Sequence, residues 1–128
     1  MSALTPVSWG ELVDKFTILV IKSERIQDPA KVKNVRVEMD ALQPLLEEAR
    51  RASAELQALE TRLKGINEKL WEIEDDIRDC ERQKDFGPRF VELARSVYFT
   101  NDERAAVKRL INEALGSAIV EEKSYQAY

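Results

Sequence analysis

The chain has 128 residues, of which 44% are apolar, 34% charged and 7% aromatic. Its 20 Lys and Arg residues stand against 24 Asp and Glu residues, whereas a dedicated nucleic-acid-binding domain usually carries a basic excess. There is no histidine and only one cysteine, which excludes an internal disulfide, most zinc sites and the Ser-His and Cys-His catalytic pairs. From the length, the charge balance and the single cysteine, we expect one domain in a reducing, cytoplasmic compartment, with no nucleic-acid partner. We also expect no membrane insertion, because the longest strongly apolar run covers only residues 18–21.

The first two predicted helices cover residues 8–27 and 29–50. Ser8 and Glu11 have the spacing of a capping box, and apolar residues then recur at alternating steps of three and four. Asp28 can cap the second helix, and Pro29 can open it without the loss of a hydrogen bond. Pro44 lies inside the second helix, where it removes a hydrogen bond, so we expect a kink or a one-turn break around Leu42.

The third predicted helix, residues 53–84, has the strongest pattern in the chain. Eight successive apolar positions keep a spacing of three and four residues, which is typical of the seam of a coiled coil. About 30 residues of helix would be roughly 45 Å long. The seam consists of Leu56, Leu59, Leu63, Ile66, Leu70, Ile73, Ile77 and Cys80.

Two shorter helices, 88–98 and 101–115, are predicted next, the second opened by a capping box of Thr100 and Glu103 and closed by Gly116. The tail, residues 117–128, is not assigned. No stretch alternates with a period of two, so the predicted class is all-α. Short links favour antiparallel neighbours, so we expect an up-down-up, coiled-coil-like bundle of three helices, with the two short helices packed on the third.

Charge is segregated along the chain. Residues 15–36 hold six basic and two acidic side chains, and residues 68–81 hold seven acidic and two basic ones. One interpretation is that these segments neutralise each other across the bundle. The other is a Mg²⁺ or Mn²⁺ site, since paired carboxylates are what these ions prefer. The candidate ligands are Glu72, Asp75, Asp76 and Asp79.

The pair Glu72 and Asp75 also resembles half of the Glu-x-x-Glu and Glu-x-x-Asp motif of all-α nucleoside triphosphate pyrophosphatases. That resemblance implies a metal-dependent phosphohydrolase, in which a carboxylate-bound ion orients the phosphate and activates water. The chain departs from the motif because it contains no Glu-x-x-Glu pair. Without such a site, no cofactor is expected.

Trp71 lies one position away from the seam, so the first two helices cannot bury it. With Asn67, Glu74 and Arg78 it forms a stripe along the third helix. The stripe either receives the later helices or binds a partner, which would be another protein or a second copy of the chain. Tyr125 in the tail is a further candidate for this contact.

A second group of candidates surrounds the predicted start of the fifth helix. Free N–H groups at a helix start favour an anion, and basic and polar side chains gather there. The alternative is an ordinary solvated face whose cations find acids nearby. The candidates are Arg95, Tyr98, Asn101, Arg104 and Lys108.

Three strings of residues carry a wider resemblance. They are Val-Ser-Trp-Gly-Glu-Leu from Val7, Leu-Trp-x-Ile-Glu-Asp-Asp-Ile-Arg from Leu70 and Thr-Asn-Asp-x-Arg-Ala from Thr100. In these strings, and in residues 116–125, the chain resembles a family of small all-helical bacterial proteins of unassigned function, over nearly its whole length. Some relatives accompany glycosyltransferase or tetratricopeptide-type sequences, so the resemblance implies a link to surface-polysaccharide assembly. It makes these positions the first to test: Trp71, Asp75, Arg78, Asn101, Arg104 and Tyr125.

The residues and the resemblance together predict a non-enzymatic interaction or accessory module. Two alternatives stay open, which are the metal-dependent phosphohydrolase and a binder of an anionic small molecule.

Overall fold

A computed structural model describes all of residues 1–128 and contains four helices and no strand. Helix α1 covers Trp9–Arg25, α2 covers Pro29–Ala52, α3 covers Leu56–Arg82 and α4 covers Pro88–Leu115. The predicted all-α class is therefore confirmed. Residues 117–128, here called the C-terminal segment, follow α4 without regular structure. None of the four helices combines the length and the apolar character that a membrane span needs.

Local signals fix three of the helix ends. The Ser8 hydroxyl accepts a hydrogen bond from the Glu11 N–H at 3.1 Å, and the Asp28 carboxylate accepts one from the Ala30 N–H at 3.0 Å. These caps satisfy N–H groups that have no partner within the first turn. Helix α4 is capped by Gly116, whose φ of 60° and ψ of 45° are the left-handed conformation that glycine adopts without cost.

Helix α2 is continuous from Pro29 to Ala52 and shows no break at Pro44. Pro44 cannot donate to the carbonyl of Asp40, but both residues are exposed, so water can satisfy that carbonyl. Only Val35, Leu46 and Ala49 are buried in this helix.

The prediction of two short C-terminal helices, 88–98 and 101–115, was wrong, because α4 is one helix of 28 residues. Thr100 lies in the middle of this helix with 1% of its surface exposed, so it does not act as an N-cap. No glycine or proline occurs between Arg89 and Leu115, so no residue in that range forces the helix to stop.

Helix α1 is the central element, since it packs against each of the other three helices. The most extensive helix pair is α3 with α4, and α2 meets α3 only slightly. One apolar cluster joins all four helices and contains two positions of the predicted seam, Leu56 and Leu63. Its members are Val13, Phe16, Leu46, Ala49, Leu56, Leu63, Val107 and Ile111.

The basic and acidic segments meet at one residue. The Arg25 guanidinium lies 3.6 Å from the Glu68 carboxylate and 3.4 Å from that of Glu72, whereas Lys15 pairs with Glu38 on α2. Because α2 makes little contact with α3, the basic residues in the first turns of α2 do not pair with the acidic segment of α3.

Candidate functional site

A buried carboxylate links three helices. Asp14 on α1 has 1% of its surface exposed, although it lies outside the apolar face that carries Val13 and Phe16. Its Oδ1 accepts hydrogen bonds from Arg104 Nε on α4 and from Asn67 Nδ2 on α3, both at 2.9 Å, and its Oδ2 accepts from Arg104 Nη2. A buried charge with excellent partners is tolerated, and the loss of one partner leaves it uncompensated.

Thr17 completes the network around Asp14. Its hydroxyl donates to the Asp14 backbone carbonyl at 2.7 Å and accepts from Asn67 Nδ2 at 2.9 Å. No buried side-chain nitrogen or oxygen in the protein lacks a hydrogen-bond partner. The network therefore holds Asn67 and Arg104 in fixed positions on α3 and α4.

Arg104 faces the network with only part of its guanidinium. The pair with Asp14 uses Nε and Nη2, and no protein group accepts a hydrogen bond from Nη1. The hydrogen bonds to Asp14 raise the pKa of Arg104 above its ordinary value, against the opposing effect of burial. The side chain keeps 29% of its surface exposed. It thus offers a permanently charged, fixed N–H edge on the outer side of the network.

Lys108 follows one turn later on α4 and is bound by two carboxylates. Its Nζ lies 2.7 Å from Glu11 Oε2 on α1 and 2.8 Å from Glu121 Oε2 in the C-terminal segment. Burial of the ammonium opposes its charge, but these hydrogen bonds raise the pKa of Lys108 overall. The hydrogen bond from Lys108 Nζ lowers the pKa of Glu121. Glu11 is used in this pair, so only the Ser8 half of the predicted capping box forms.

Helices α1 and α4 touch at Gly10. Its N–H donates to Asn112 Oδ1 at 2.7 Å, and a Cβ at this position would lie 2.5 Å from the Lys108 backbone oxygen. Only glycine permits this approach without a shift of the backbone. The contact places the Glu11 and Asp14 carboxylates within reach of the cations on α4.

The C-terminal segment turns back along α4. The Tyr128 hydroxyl donates to Asp102, which raises the pKa of Tyr128 to about 12, and the Lys123 ammonium lies 3.6 Å from the same carboxylate. The ring of Tyr128 also packs against Tyr98 and Phe99, with centroids 5.2 Å and 4.7 Å away. The segment is therefore held by side chains from both acidic and aromatic positions of α4.

A cavity of about 870 Å³ lies between α4 and the C-terminal segment. This volume falls in the range of sites that bind small molecules. The polar part of its wall contains Arg104, Lys108 and Arg109 of α4 and Lys123 of the segment, against the acids Asp102 and Glu121. Its aromatic part consists of Tyr98, Tyr125 and Tyr128.

The structure brings four of the five predicted anion-site residues to this cavity: Tyr98, Asn101, Arg104 and Lys108. Arg95 does not line it; its guanidinium lies 3.8 Å from Glu92 and 6.0 Å from the centre of the Phe99 ring. The predicted contribution of free N–H groups at a helix start was wrong, however. Because α4 is continuous through this region, it has no such groups here to bind an anion.

The predicted partner stripe on α3 is divided in the structure. Asn67 is buried in the Asp14 network, and Trp71 is half-buried. Glu74 and Arg78 form an exposed pair with a separation of 3.5 Å. Tyr125 lies in the cavity wall, with the Lys123 ammonium 5.2 Å from its ring centre.

Three of the four predicted metal ligands are engaged in ion pairs with arginines. Glu72 pairs with Arg25, Asp76 lies 3.7 Å from Arg89, and Asp79 lies 2.6 Å from Arg82. Asp75 is exposed. No group of three or more acidic or thiol side chains has an arrangement that would hold a metal ion.

Sequence reasoning missed the residues that position the site from α1 and from the C-terminal segment. Asp14 carried no signal, because it lies on the side of α1 away from Leu12, Phe16 and Leu19, where a charged residue is ordinarily exposed. Glu121 carried none either, since it lies in a stretch without any periodicity.

The chain matches the model of a known protein family. Residues 4–128 match the model of DUF6165, which is described as a family of unknown function, and the chain belongs to this family. No curated protein and no solved structure is significantly similar to it.

Proposed function

We propose that this protein binds a small anionic ligand that also carries an aromatic or other planar group, in the cavity between α4 and the C-terminal segment. Binding, without chemical conversion of the ligand, is the function we assign to the site. The residues of the cavity supply positive charge, N–H and O–H donors and aromatic faces, all of which are means of recognition.

The observation that carries this proposal is the fixed edge of Arg104. Asp14 holds the guanidinium through two nitrogens and leaves Nη1 without a protein acceptor at the cavity. A guanidinium that is oriented in advance loses little conformational entropy when it binds a carboxylate or phosphate. The Asp14 carboxylate is itself held by a hydrogen bond from Asn67 Nδ2, so the orientation of the guanidinium is fixed from both α1 and α3.

Two further features support an anionic and planar ligand. Arg109 lines the cavity and makes no ion pair with the protein, so its charge is available. Tyr98, Tyr125 and Tyr128 present ring faces and hydroxyl groups in the same wall. Aromatic side chains bind planar groups over a large area with few rotatable bonds.

The other predicted functions have less support in the geometry. For contact with another protein, the stripe on α3 offers an exposed Glu74–Arg78 pair, but Asn67 is committed to the interior. For phosphohydrolase chemistry, the acids on α3 are each paired or isolated and lie outside the cavity wall. A role beside surface-polysaccharide assembly would be compatible with an anionic ligand, and it rests on the resemblance alone.

Calorimetric titration with three probes tests the proposal. Phenyl phosphate offers both an anion and a ring, inorganic phosphate only the anion, and phenyl glucoside only the ring with a neutral polar group. We expect phenyl phosphate to bind most tightly, and binding to weaken as salt screens the charges. If none of the three probes binds, the proposal is wrong.

Substitutions on α4 locate the binding. We expect Arg104→Lys to weaken phenyl phosphate binding by about 10- to 100-fold, since a hydrogen bond to a charged group contributes about 1.5–3 kcal/mol. Arg109→Gln removes a charge without breaking an ion pair and should also weaken binding, whereas Arg95→Gln, on the same helix but outside the cavity, should not. Equal affinities in the Arg109 and Arg95 variants would place the binding elsewhere.

A further inference from the structure

The C-terminal segment places a carboxylate of its own in the cavity. Glu121 Oε2 lies 2.8 Å from Lys108 Nζ, and both residues line the cavity wall. Lys108 is already neutralised by Glu11 on α1, at 2.7 Å. One ammonium group therefore has two carboxylates, and the one from the segment is not needed to neutralise it.

The C-terminal segment is attached through its backbone only at its start. Its start is fixed, because Ser117 N–H donates to the Asn112 carbonyl at 2.9 Å and Ser117 Oγ donates to the Ile119 carbonyl at 2.8 Å. Beyond Ser117 the segment donates and accepts no backbone–backbone hydrogen bond. It is held by side chains, of which Glu121 keeps 55% of its surface exposed, Asp102 47% and Lys108 12%. Ion pairs whose carboxylate is exposed are weak, because water competes for the charge.

We propose that Glu121 is an internal substitute for the anionic group of the ligand, so that a bound carboxylate or phosphate displaces Glu121 from Lys108 and releases the C-terminal segment from α4. This inference rests on the proposed function and adds its regulation. The chemistry is the same on both sides of the exchange, since an oxyanion accepts a hydrogen bond from Lys108 Nζ in each case.

The exchange also changes the surface of the protein. Tyr128 packs on Tyr98 and Phe99 while the segment is docked, and each of these two rings already has 42% of its surface exposed. Release of the segment uncovers the remaining part of this aromatic surface. Because the ligand and Glu121 compete for one position beside Lys108, binding of the ligand increases the exposed aromatic surface of α4.

Glu121→Gln tests the inference in the full chain, with Glu122→Gln as the matched control. Glu122 is adjacent, equally charged and exposed, and it makes no ion pair with Lys108. We expect phenyl phosphate to bind about three- to fivefold more tightly to the Glu121 variant, because the loss of an ion pair whose carboxylate is exposed changes an equilibrium by about that factor. The Glu122 variant should bind as the unmodified protein does.

A second measurement follows the segment itself. Trypsin cleaves after Lys123, and mass spectrometry gives the rate at which the fragment 1–123 forms. We expect faster cleavage in Glu121→Gln than in Glu122→Gln, and faster cleavage of the unmodified protein when phenyl phosphate is present.

The outcomes separate this inference from the proposed function. If the unmodified protein binds phenyl phosphate and Glu121→Gln leaves both the affinity and the cleavage rate unchanged, the internal substitute is refuted and the binding function stands. If the unmodified protein binds phenyl phosphate and Glu121→Gln binds it more tightly and is cleaved faster, both are supported. If it binds to no variant, both are refuted.

Discussion

Helix α1 buries eight of its 17 residues, whereas α2, which is longer, buries three of its 24. Both helices have an apolar face, and the difference lies in the number of neighbours. Helix α1 packs against three helices, so positions beyond its apolar face are also enclosed, and Asp14 and Thr17 are among them. Helix α2 packs mainly against α1 and keeps most of its circumference in water. Two amphipathic helices thus take different places in the fold, α1 at its centre and α2 on its surface. Of the two, only α1 has enough neighbours to enclose a charged side chain.

The largest expected effect concerns that charge. Asp14→Ala should lower the free energy of unfolding by about 3–5 kcal/mol, since it leaves Arg104 without its buried acceptor and removes one of the two acceptors of Asn67. Asp40→Ala on α2 removes an exposed carboxylate and should change it by less than about 0.5 kcal/mol. Urea denaturation followed by circular dichroism measures both. Similar losses in the two variants would contradict the assignment of α1 as the central helix.

Leucine truncation compares the apolar faces. Leu19 on α1 has 2% of its surface exposed and Leu45 on α2 has 43%. We expect Leu19→Ala to cost about 2–5 kcal/mol, because it removes buried methyl groups and leaves a cavity. Leu45→Ala should cost less than about 1 kcal/mol in the same denaturation experiment. A larger cost at Leu45 would show that α2 is covered by something absent from the isolated chain, such as a second copy.

The smallest effects come from two glycines. Gly10→Ala should destabilise the protein by about 1–3 kcal/mol, since the added Cβ would meet the Lys108 carbonyl at 2.5 Å. Gly65 on α3 has no atom within 4 Å of such a Cβ, so Gly65→Ala should stabilise the helix by up to about 1 kcal/mol. Thermal unfolding of the pair gives the two signs directly. A stabilising Gly10→Ala would mean that α1 and α4 do not touch as closely as described.

The helix ends could be predicted where a single residue decides them. Ser8, Asp28 and Gly116 act through bonds to residues two to four positions away, and the local sequence contains everything required. Thr100 shows the limit of this reasoning. A capping residue followed three positions later by glutamate also occurs inside a helix, and tertiary packing buried Thr100 instead of exposing it at a helix start.

The site could be predicted only in part, for the same reason. Arg104 and Lys108 are four residues apart on one helix, so their common face is visible in the sequence. Their partners Asp14 and Glu11 lie 90 and 97 positions away, and they become neighbours only because Gly10 lets α1 approach α4. Which of several amphipathic helices lies at the centre depends on packing among all of them, and no local pattern contains that information.

The left-handed turn at Gly116 also decides how the protein should be handled. By sending the chain back along α4, it brings Tyr128 to Asp102, at the wall of the cavity. A polyhistidine tag fused after Tyr128 would begin beside that wall and would add imidazole groups next to Lys123 and Tyr125. Residues 1–7 are exposed and make none of the cavity contacts, so an affinity tag or a fluorescent label belongs ahead of Met1.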